Sequence, residues 1–486
     1  MVAIFPNDRS RPVPTPASSP ISDAPELCRL SAAELTEAYA ARRLSPVEVT
    51  RAALARAEEV QGRFNAFTRL EAESALASAV EAERRWQAGT PLSPIDGVPG
   101  TLKNLVATQG WPLTHGSTLL DDTPATEDAP CVARLRAAGM VFIGQTTMPE
   151  FGWKAVTDSA RDGVTLNPWD PALTPGGSSG GAAVAAATGA GVLHLGTDGG
   201  GSIRIPAAFT GTSGIKPTFG RVPAAPPSPY GTMAHIGPMA RRVEDVEAML
   251  AALSGRDRRD WYQGAGVLPP LDPVTARPET LRIGVWSAPP RGAVDPEVAA
   301  SLSTASARLA AAGAVVEEVT LPMADELYDI ATCLWFSGAR VRLESFGPLG
   351  DLPRDRLDPG LLAVAEQAGG WSTSDYIRAM GRRAAFGAQM DRLMEDYDLL
   401  IAPGCAVLPF AAGQEVPPDS GLTRWYDWAG FSYPINLSQQ PAAVVPAGPS
   451  EAGLPLSLQI IGARGADADV LALARWWQDL DPAHCP

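Results

Sequence analysis

Residues 175–206 read PGGSSGGAAVAAATGAGVLHLGTDGGGSIRIP. Two Gly/Ser clusters bracket the stretch, one running from Gly176 through Ser178 and Ser179 to Gly181, the other from Gly199 through Gly200 and Gly201 to Ser202. Between them, Ala182 to Thr188 is nearly all small residues, which predicts a helix packed very close to its neighbours. Val192 to Leu195 is a short apolar run and predicts a strand. Apolar strands separated by helices and Gly-rich turns are the pattern of an α/β sheet with parallel strands. The glycines also free backbone N–H groups from side-chain cover, and a run of free N–H groups beside a serine is what an oxyanion hole requires.

The same alternation extends in both directions. Upstream, Val141-Phe142-Ile143-Gly144 predicts a buried strand after a helix ending at Gly139. Ser31 with Glu34, and Ser45 with Glu48 and Pro46 at the first helical position, have capping-box spacing. They predict helices over roughly 32–43 and 46–60, with a third over about 71–87. Downstream, Leu281 to Val285 predicts a strand, about 296–312 a helix, and Gly313 to Val316 another strand. Residues 325–395 read as mostly helical with loops around 346–358, and Tyr397 to Ala402 and Ala442 to Pro446 as further strands.

Composition narrows the function classes. The chain has 486 residues, 45% of them hydrophobic, enough for a large core. With 39 basic against 54 acidic residues the net charge is −15, a field that repels phosphate backbones and anionic membranes. Cys28, Cys131, Cys333, Cys405 and Cys485 lie far apart, without a CxxC pair, which argues against a disulfide framework or a zinc site. No run approaches the roughly 20 apolar residues of a membrane span. The first 28 residues lack the apolar segment of a signal peptide and read as a flexible arm, so a soluble cytoplasmic protein is expected.

Neither Gly cluster has the Lys-Ser/Thr of a Walker A loop, nor a GxGxxG dinucleotide pattern. Gly176-Gly177-Ser178-Ser179-Gly180 does match GxSxG, the nucleophile elbow of α/β-hydrolases, and that chemistry needs a histidine. The candidates are His115, His194, His235 and His484, of which His235 alone has a plausible position. Without histidine, a lysine of lowered pKa can serve as base. Lys103, alone in the apolar run Gly97-Val98-Pro99-Gly100-Thr101-Leu102-Lys103-Asn104-Leu105-Val106, is a candidate, because burial disfavours the charged amine. An amphipathic stem with a solvated head is the competing reading of that window.

The stretch from Pro175 to Pro206 resembles the defining segment of the amidase signature family. Ser45-Pro46-Val47-Glu48, Met148-Pro149-Glu150-Phe151-Gly152, Asn167-Pro168-Trp169, Gly237-Pro238-Met239-Ala240 and Tyr433-Pro434-Ile435-Asn436-Leu437 look like further landmarks of that family. The resemblance implies a single large α/β domain, a central mixed β-sheet surrounded by helices, over 29–486. Within it, 29–90 would be N-terminal helices, 91–250 the catalytic core, 270–425 a more variable substrate-facing part and 426–480 a C-terminal return to the core.

It also implies a Ser–cis-Ser–Lys triad, with Ser202 as nucleophile, Ser178 as proton relay after a cis Gly177–Ser178 peptide, and Lys103 as base. Gly199, Gly200, Gly201 and Ser202 would form the oxyanion hole. Ser179, Asp198 and Arg204 match supporting positions, and Thr197 and Gly152 match positions near the acyl carbonyl. Two departures stand out. Asn104 replaces the Asp usual after the lysine, and Gly199 makes three consecutive glycines, which predicts a loose hole.

The implied function is a serine amidohydrolase cleaving amides, anilides or carbamates (a urethanase among them), with esters open to the same triad. The alternative within the family is the glutamine-hydrolysing subunit of a tRNA-dependent amidotransferase. Trp425, Tyr426 and Trp428, together with Trp153, are candidate walls of an apolar substrate pocket, core packing being the competing reading. No cofactor, metal, nucleic acid or membrane is expected. The expected partner is a small-molecule substrate, and the sequence leaves a homodimer open.

Overall fold

The computed structural model describes residues 19–482 except 21, 265–267 and 273. Its main sheet has eleven strands: β1 Phe67–Leu70, β2 Pro99–Lys103, β3 Val141–Thr146, β4 Leu193–Asp198, β5 Ser213–Lys216, β6 His235–Ala240, β7 Arg282–Val285, β8 Val315–Glu318, β9 Leu399–Pro403, β10 Ala442–Pro449 and β11 Pro455–Gly462. The spatial order is β1-β3-β2-β4-β6-β5-β10-β11-β9-β7-β8. Pairs β2/β3, β2/β4, β7/β8 and β7/β9 are parallel and the remaining pairs antiparallel, so the sheet is mixed. The β10–β11 hairpin lies between β5 and β9, and this C-terminal return joins the two halves of one sheet.

Thirteen helices are present among the described residues: α1 Ala32–Ala40, α2 Pro46–Phe64, α3 Ala72–Ala88, α4 Pro130–Ala137, α5 Gly180–Thr188, α6 Arg204–Thr210, α7 Val243–Leu253, α8 Pro296–Ala311, α9 Leu327–Glu344, α10 Pro359–Ala368, α11 Thr373–Asp396, α12 Tyr433–Ser438 and α13 Asp467–Leu480. Both capping boxes form, at Ser31/Glu34 and Ser45/Glu48. Helices cover both faces of the sheet, and the strands show it by period-two alternation. Leu399 and Ile401 pack with Ala443 and Val445 in the cluster that includes α7, α8 and α13, whereas Leu400, Ala402, Ala442 and Val444 pack on the opposite side with α6, α9 and α12.

The small residues of α5 have a steric cause. A Cβ on Gly181 would lie 2.4 Å from the Ala66 carbonyl oxygen, and one on Gly180 would lie 2.3 Å from Thr157 Oγ1. Side chains there would push the helix, and the serines at its start, away from the sheet.

The expected N-terminal arm is corrected at its inner end. Ala24 and Cys28 are buried, and Asp23 pairs with Arg56 and Arg63 of α2, so residues 22–28 are docked on the domain. Residues 1–18 of that arm lie outside the described residues, as do His484 and Cys485. The other four cysteines are buried and unpaired. Among the described residues no helix is long and apolar enough to cross a membrane.

Candidate active site

Lys103 is the last residue of β2, and Thr197 and Asp198 end its parallel neighbour β4. Their carboxyl ends open on one side of the sheet, where open α/β sheets place ligands. Ser178 and Ser179 immediately precede α5, and Ser202 lies in the turn between β4 and α6. The Gly177–Ser178 peptide is cis. Gly177 packs against Val156, where a Cβ would come within 2.6 Å of the carbonyl. The Ser179 N–H donates to the Ser202 carbonyl at 3.1 Å, which ties the two serine-bearing turns together.

Lys103 is fully buried. Its Nζ lies 2.8 Å from Ser178 Oγ, 2.8 Å from Ser179 Oγ and 2.9 Å from Thr197 Oγ1. Burial pushes its pKa well below the ordinary lysine range, and the opposing pull of the Asp198 carboxylate does not restore it. The positive end of α5, beside these serines, acts in the same direction as burial. The solvated-head reading of Lys103 is therefore excluded. Asn104 turns away from the lysine: its side chain donates to Thr114 Oγ1 at 2.7 Å and accepts from the Thr114 N–H at 3.2 Å.

The turn carrying Gly199 to Ser202 is held from beneath by a buried network. Arg204 grips Asp198 with two hydrogen bonds, Nε to Oδ2 at 2.9 Å and Nη2 to Oδ1 at 3.0 Å. Arg204 also donates to Asn436 Oδ1 at 2.6 Å and Gln459 Oε1 at 2.7 Å, and the Asn436 amide donates to Asp198 Oδ1 at 2.8 Å. Burial alone would raise the Asp198 carboxyl, but the Arg204 charge and these bonds hold it far below the usual carboxylate range.

Two expectations about this turn are corrected. The Gly201 N–H already donates to Asp198 Oδ1 at 2.8 Å, so of the four N–H groups assigned to the oxyanion hole, those of Gly199, Gly200 and Ser202 remain. The glycine triplet is also not loose. A Cβ on Gly199 would lie 2.7 Å from the Trp335 ring and one on Gly200 2.7 Å from the Trp425 ring, so two indoles clamp the turn.

A cavity of about 220 Å³ opens over the serines. Gly152, Ser178, Thr197, Gly199 and Ser202 form its floor, and Gly152 faces Ser178, where a Cβ would lie 3.3 Å from Oγ. The walls are largely apolar: Leu105, Leu113, Phe151, Phe219, Tyr230 and Trp335, with the proline-rich segment 225–229. Trp153, Trp425, Tyr426 and Trp428 do not line it, which corrects their assignment as pocket walls. All four are buried. Trp425 packs on Gly200 and Tyr426, and Trp428 stacks on Phe209 at 6.0 Å between centroids. Trp425 thereby supports the floor from behind. Among the described residues of 270–425, only Trp335 and Arg342 line the cavity, both on α9.

The histidines are placed elsewhere. His194 is a core residue bonded to Thr101 Oγ1 at 2.9 Å. His235 lines the cavity, but its Nδ1 meets the Met233 carbonyl at 2.7 Å and its Nε2 faces Lys216, and burial followed by the Lys216 charge keeps it neutral. His115 bonds Arg342. None of these three is hydrogen-bonded to Ser178 or Ser202.

Gln459 and Trp335 are the residues that sequence reasoning missed. Gln459 left a weak signal, as one of two polar residues, with Ser457, in the stretch Leu456 to Ile461. Trp335 sits in an apolar stretch whose composition does not reveal which side faces the site.

Comparison with known proteins agrees with this architecture. The Amidase family model matches residues 48–471. A glutamyl-tRNA(Gln) amidotransferase subunit from Symbiobacterium thermophilum is 35% identical over 94% of this chain and 97% of its own. An acylamidase of Rhodococcus erythropolis is 34% identical over 93% of this chain and 97% of its own. Among solved structures, a bacterial aryl acylamidase of the amidase signature family superposes with a TM-score of 0.85 at 29% identity, over 93% of this chain and 96% of that one. A 6-aminohexanoate cyclic dimer hydrolase gives 0.85 at 29% identity, over 95% and 99%. The match runs through every strand and turn that carries Lys103, the serines and the glycine loop, and on it the chain belongs to the amidase signature family of carbon–nitrogen hydrolases.

Proposed function

We propose that the protein is a serine amidohydrolase that cleaves amide, anilide or carbamate C–N bonds through an acyl-enzyme on Ser202. The observation that carries this reading is the buried Lys103 amine 2.8 Å from Ser178 Oγ. A neutral amine offers two N–H donors and one lone pair. The Ser179 hydroxyl donates its hydrogen to the Thr197 carbonyl at 3.2 Å, so its oxygen receives one Lys103 N–H. With the second N–H on Thr197 Oγ1, the lone pair is left for the Ser178 hydroxyl. Lys103 then takes the Ser178 proton as Ser178 takes that of Ser202, and Ser202 attacks the carbonyl.

The N–H groups of Gly199, Gly200 and Ser202 stabilise the oxyanion, held still by Asp198, Trp335 and Trp425. Ser178 returns a proton to the leaving nitrogen, and water releases the acyl group by the reverse relay. A carbamate handled this way gives a carbamic acid that loses CO2. The apolar walls favour aryl or alkyl substituents, and esters are open to the same steps. The reading is of a soluble, cytoplasmic enzyme acting on small molecules rather than on nucleic acid or membranes.

The second reading, glutamine hydrolysis for a tRNA-dependent amidotransferase, is favoured by the 35% identity to the Symbiobacterium thermophilum protein. Glutamine carries an ammonium group that needs a free carboxylate. The acidic residue lining the cavity, Asp260, already accepts from the Ala224, Tyr262 and Gln263 N–H groups, which argues against it. A panel of one anilide, one aryl carbamate, one ester and glutamine, assayed with wild type and Ser202→Ala, separates the readings. Ser202-dependent turnover of anilide or carbamate with glutamine untouched is expected. Turnover of glutamine alone would replace this reading with the second.

A further inference from the structure

We propose that the cavity contains a carboxylate-binding subsite built by Arg342, His115 and Tyr230, and that the preferred substrate bears a carboxylate away from its scissile bond. The inference rests on the amidase reading of the serines and names the substrate class of that site.

Arg342 reaches the cavity from α9 and is half-buried. Its guanidinium lies over Phe151 at 4.5 Å and Phe346 at 5.2 Å, and Nη2 donates to His115 Nδ1 at 2.8 Å. Among the described residues no carboxylate forms an ion pair with it, although arginines elsewhere on this acidic chain do, as at Arg204 and Arg221. A guanidinium has five N–H donors in a planar fork that matches a carboxylate. One of them is spent on His115.

The two neighbours are donors as well. Because His115 Nδ1 accepts from Arg342, the ring hydrogen sits on Nε2, which is buried without a partner. Burial and the adjacent Arg342 charge lower His115 to about 3, so the ring stays a neutral donor. The Tyr230 hydroxyl is buried without a partner too. Burial raises its pKa, so it keeps its hydrogen. Tyr230 is fixed by stacking on Trp335 at 3.7 Å. Buried donors without acceptors are rare in folded proteins. Two of them, on residues that line the same cavity as the Arg342 guanidinium, complement a carboxylate together with that charge.

The backbone supports the same corner. His115 and Phe151 both have φ of +51°, a left-handed conformation that non-glycine residues seldom adopt. The Phe151 N–H donates to the His115 carbonyl at 2.8 Å, so the two strained residues brace each other. Such strain concentrates at ligand-holding sites. Phe151 precedes Gly152, which faces Ser178, so this corner adjoins the reacting serines. The net charge of −15 does not cancel the subsite, since the chain's field is screened over about 8 Å at physiological salt whereas Arg342 acts at contact.

The test is equilibrium binding of 3-phenylpropionate and of uncharged 3-phenylpropan-1-ol, by calorimetry, to wild type, Ser202→Ala, Arg342→Gln and Arg342→Lys. The carboxylate is expected to bind at least about tenfold more tightly than the alcohol to wild type and Ser202→Ala. Arg342→Gln is expected to bring the two within about twofold with the alcohol's affinity unchanged, and Arg342→Lys to retain part of the preference. Equal binding to wild type, or a preference that survives Arg342→Gln, overturns the subsite. Turnover of two anilides, one with a carboxylate on its acyl part and one with a carboxylate on its amine part, shows which side of the scissile bond it occupies. Binding is read without catalysis, so carboxylate preference without turnover overturns the amidase reading alone. Ser202-dependent turnover without the preference overturns the subsite alone.

Discussion

Replacing Lys103 by methionine separates the titration of this residue from everything else it does. The substitution keeps the length of the side chain and removes the amine. Three hydroxyls, on Ser178, Ser179 and Thr197, then lose a partner, at about 1 kcal/mol each. Against that, a neutral buried lysine is itself destabilising, because folding must strip its proton. Lys103 has a lowered pKa in the folded state, while the unfolded chain restores the ordinary value near 10.5. Between those two values the unfolded state holds one proton more than the folded state, so stability rises with pH in that window. The slope is about 1.4 kcal/mol per pH unit, whatever the fixed cost of the lost hydrogen bonds.

Unfolding free energies of wild type and Lys103→Met, from denaturant titrations at pH 7, 8 and 9, should therefore diverge. Wild type should gain on the variant as the pH rises through this window. A difference that stays flat would mean that the folded lysine keeps its proton there, and the base assigned to the relay would not exist.

Arg204→Met leaves the Asp198 carboxylate buried and uncompensated, at a cost of about 3–5 kcal/mol at pH 7. The gap should narrow toward pH 5 as the stranded carboxyl takes up a proton in the folded variant, measured by denaturant midpoints. Gly200→Ala places a Cβ 2.7 Å from the Trp425 ring, so it should cost about 1–3 kcal/mol and displace the N–H proposed as an oxyanion donor. The expected fall in kcat is about 100-fold with KM little changed. Phe219→Ala, in the cavity wall, should raise KM for aryl substrates, whereas Trp428→Phe, outside the cavity lining, should lower thermal stability and leave the ratio of KM values across substrates unchanged.

The sequence makes the reaction centre more legible than the pocket above it, for physical reasons. Gly177 and Gly181 are forced by backbone approach and Gly180 by the Thr157 side chain, so they leave a mark in the letters. Lys103 in an apolar run carries its anomaly in the same way. A pocket wall is made instead by which face of an aromatic residue happens to meet empty space. Trp425 and Trp335 have similar local composition, yet one backs the glycine turn and the other also borders the cavity, because they approach from α12's flank and from α9. The direction of the Gly201 N–H is likewise invisible in a GGGS string, since it depends on where Asp198 is pulled by Arg204 and Asn436. The docked segment 22–28 escaped for a related reason: its Pro and Ser content reads as loop, and its order comes from Asp23 meeting two arginines of α2.

The most direct test of the central claim is covalent. Wild type, Ser202→Ala and Ser178→Ala, each treated with an alkyl fluorophosphonate and mapped by peptide mass spectrometry, report which hydroxyl attacks. Label is expected on Ser202 in wild type and none in Ser202→Ala, with slower labelling of Ser202 when Ser178 is removed. Label on Ser178 in wild type, retained in Ser202→Ala, would contradict it and reverse the roles of the two serines.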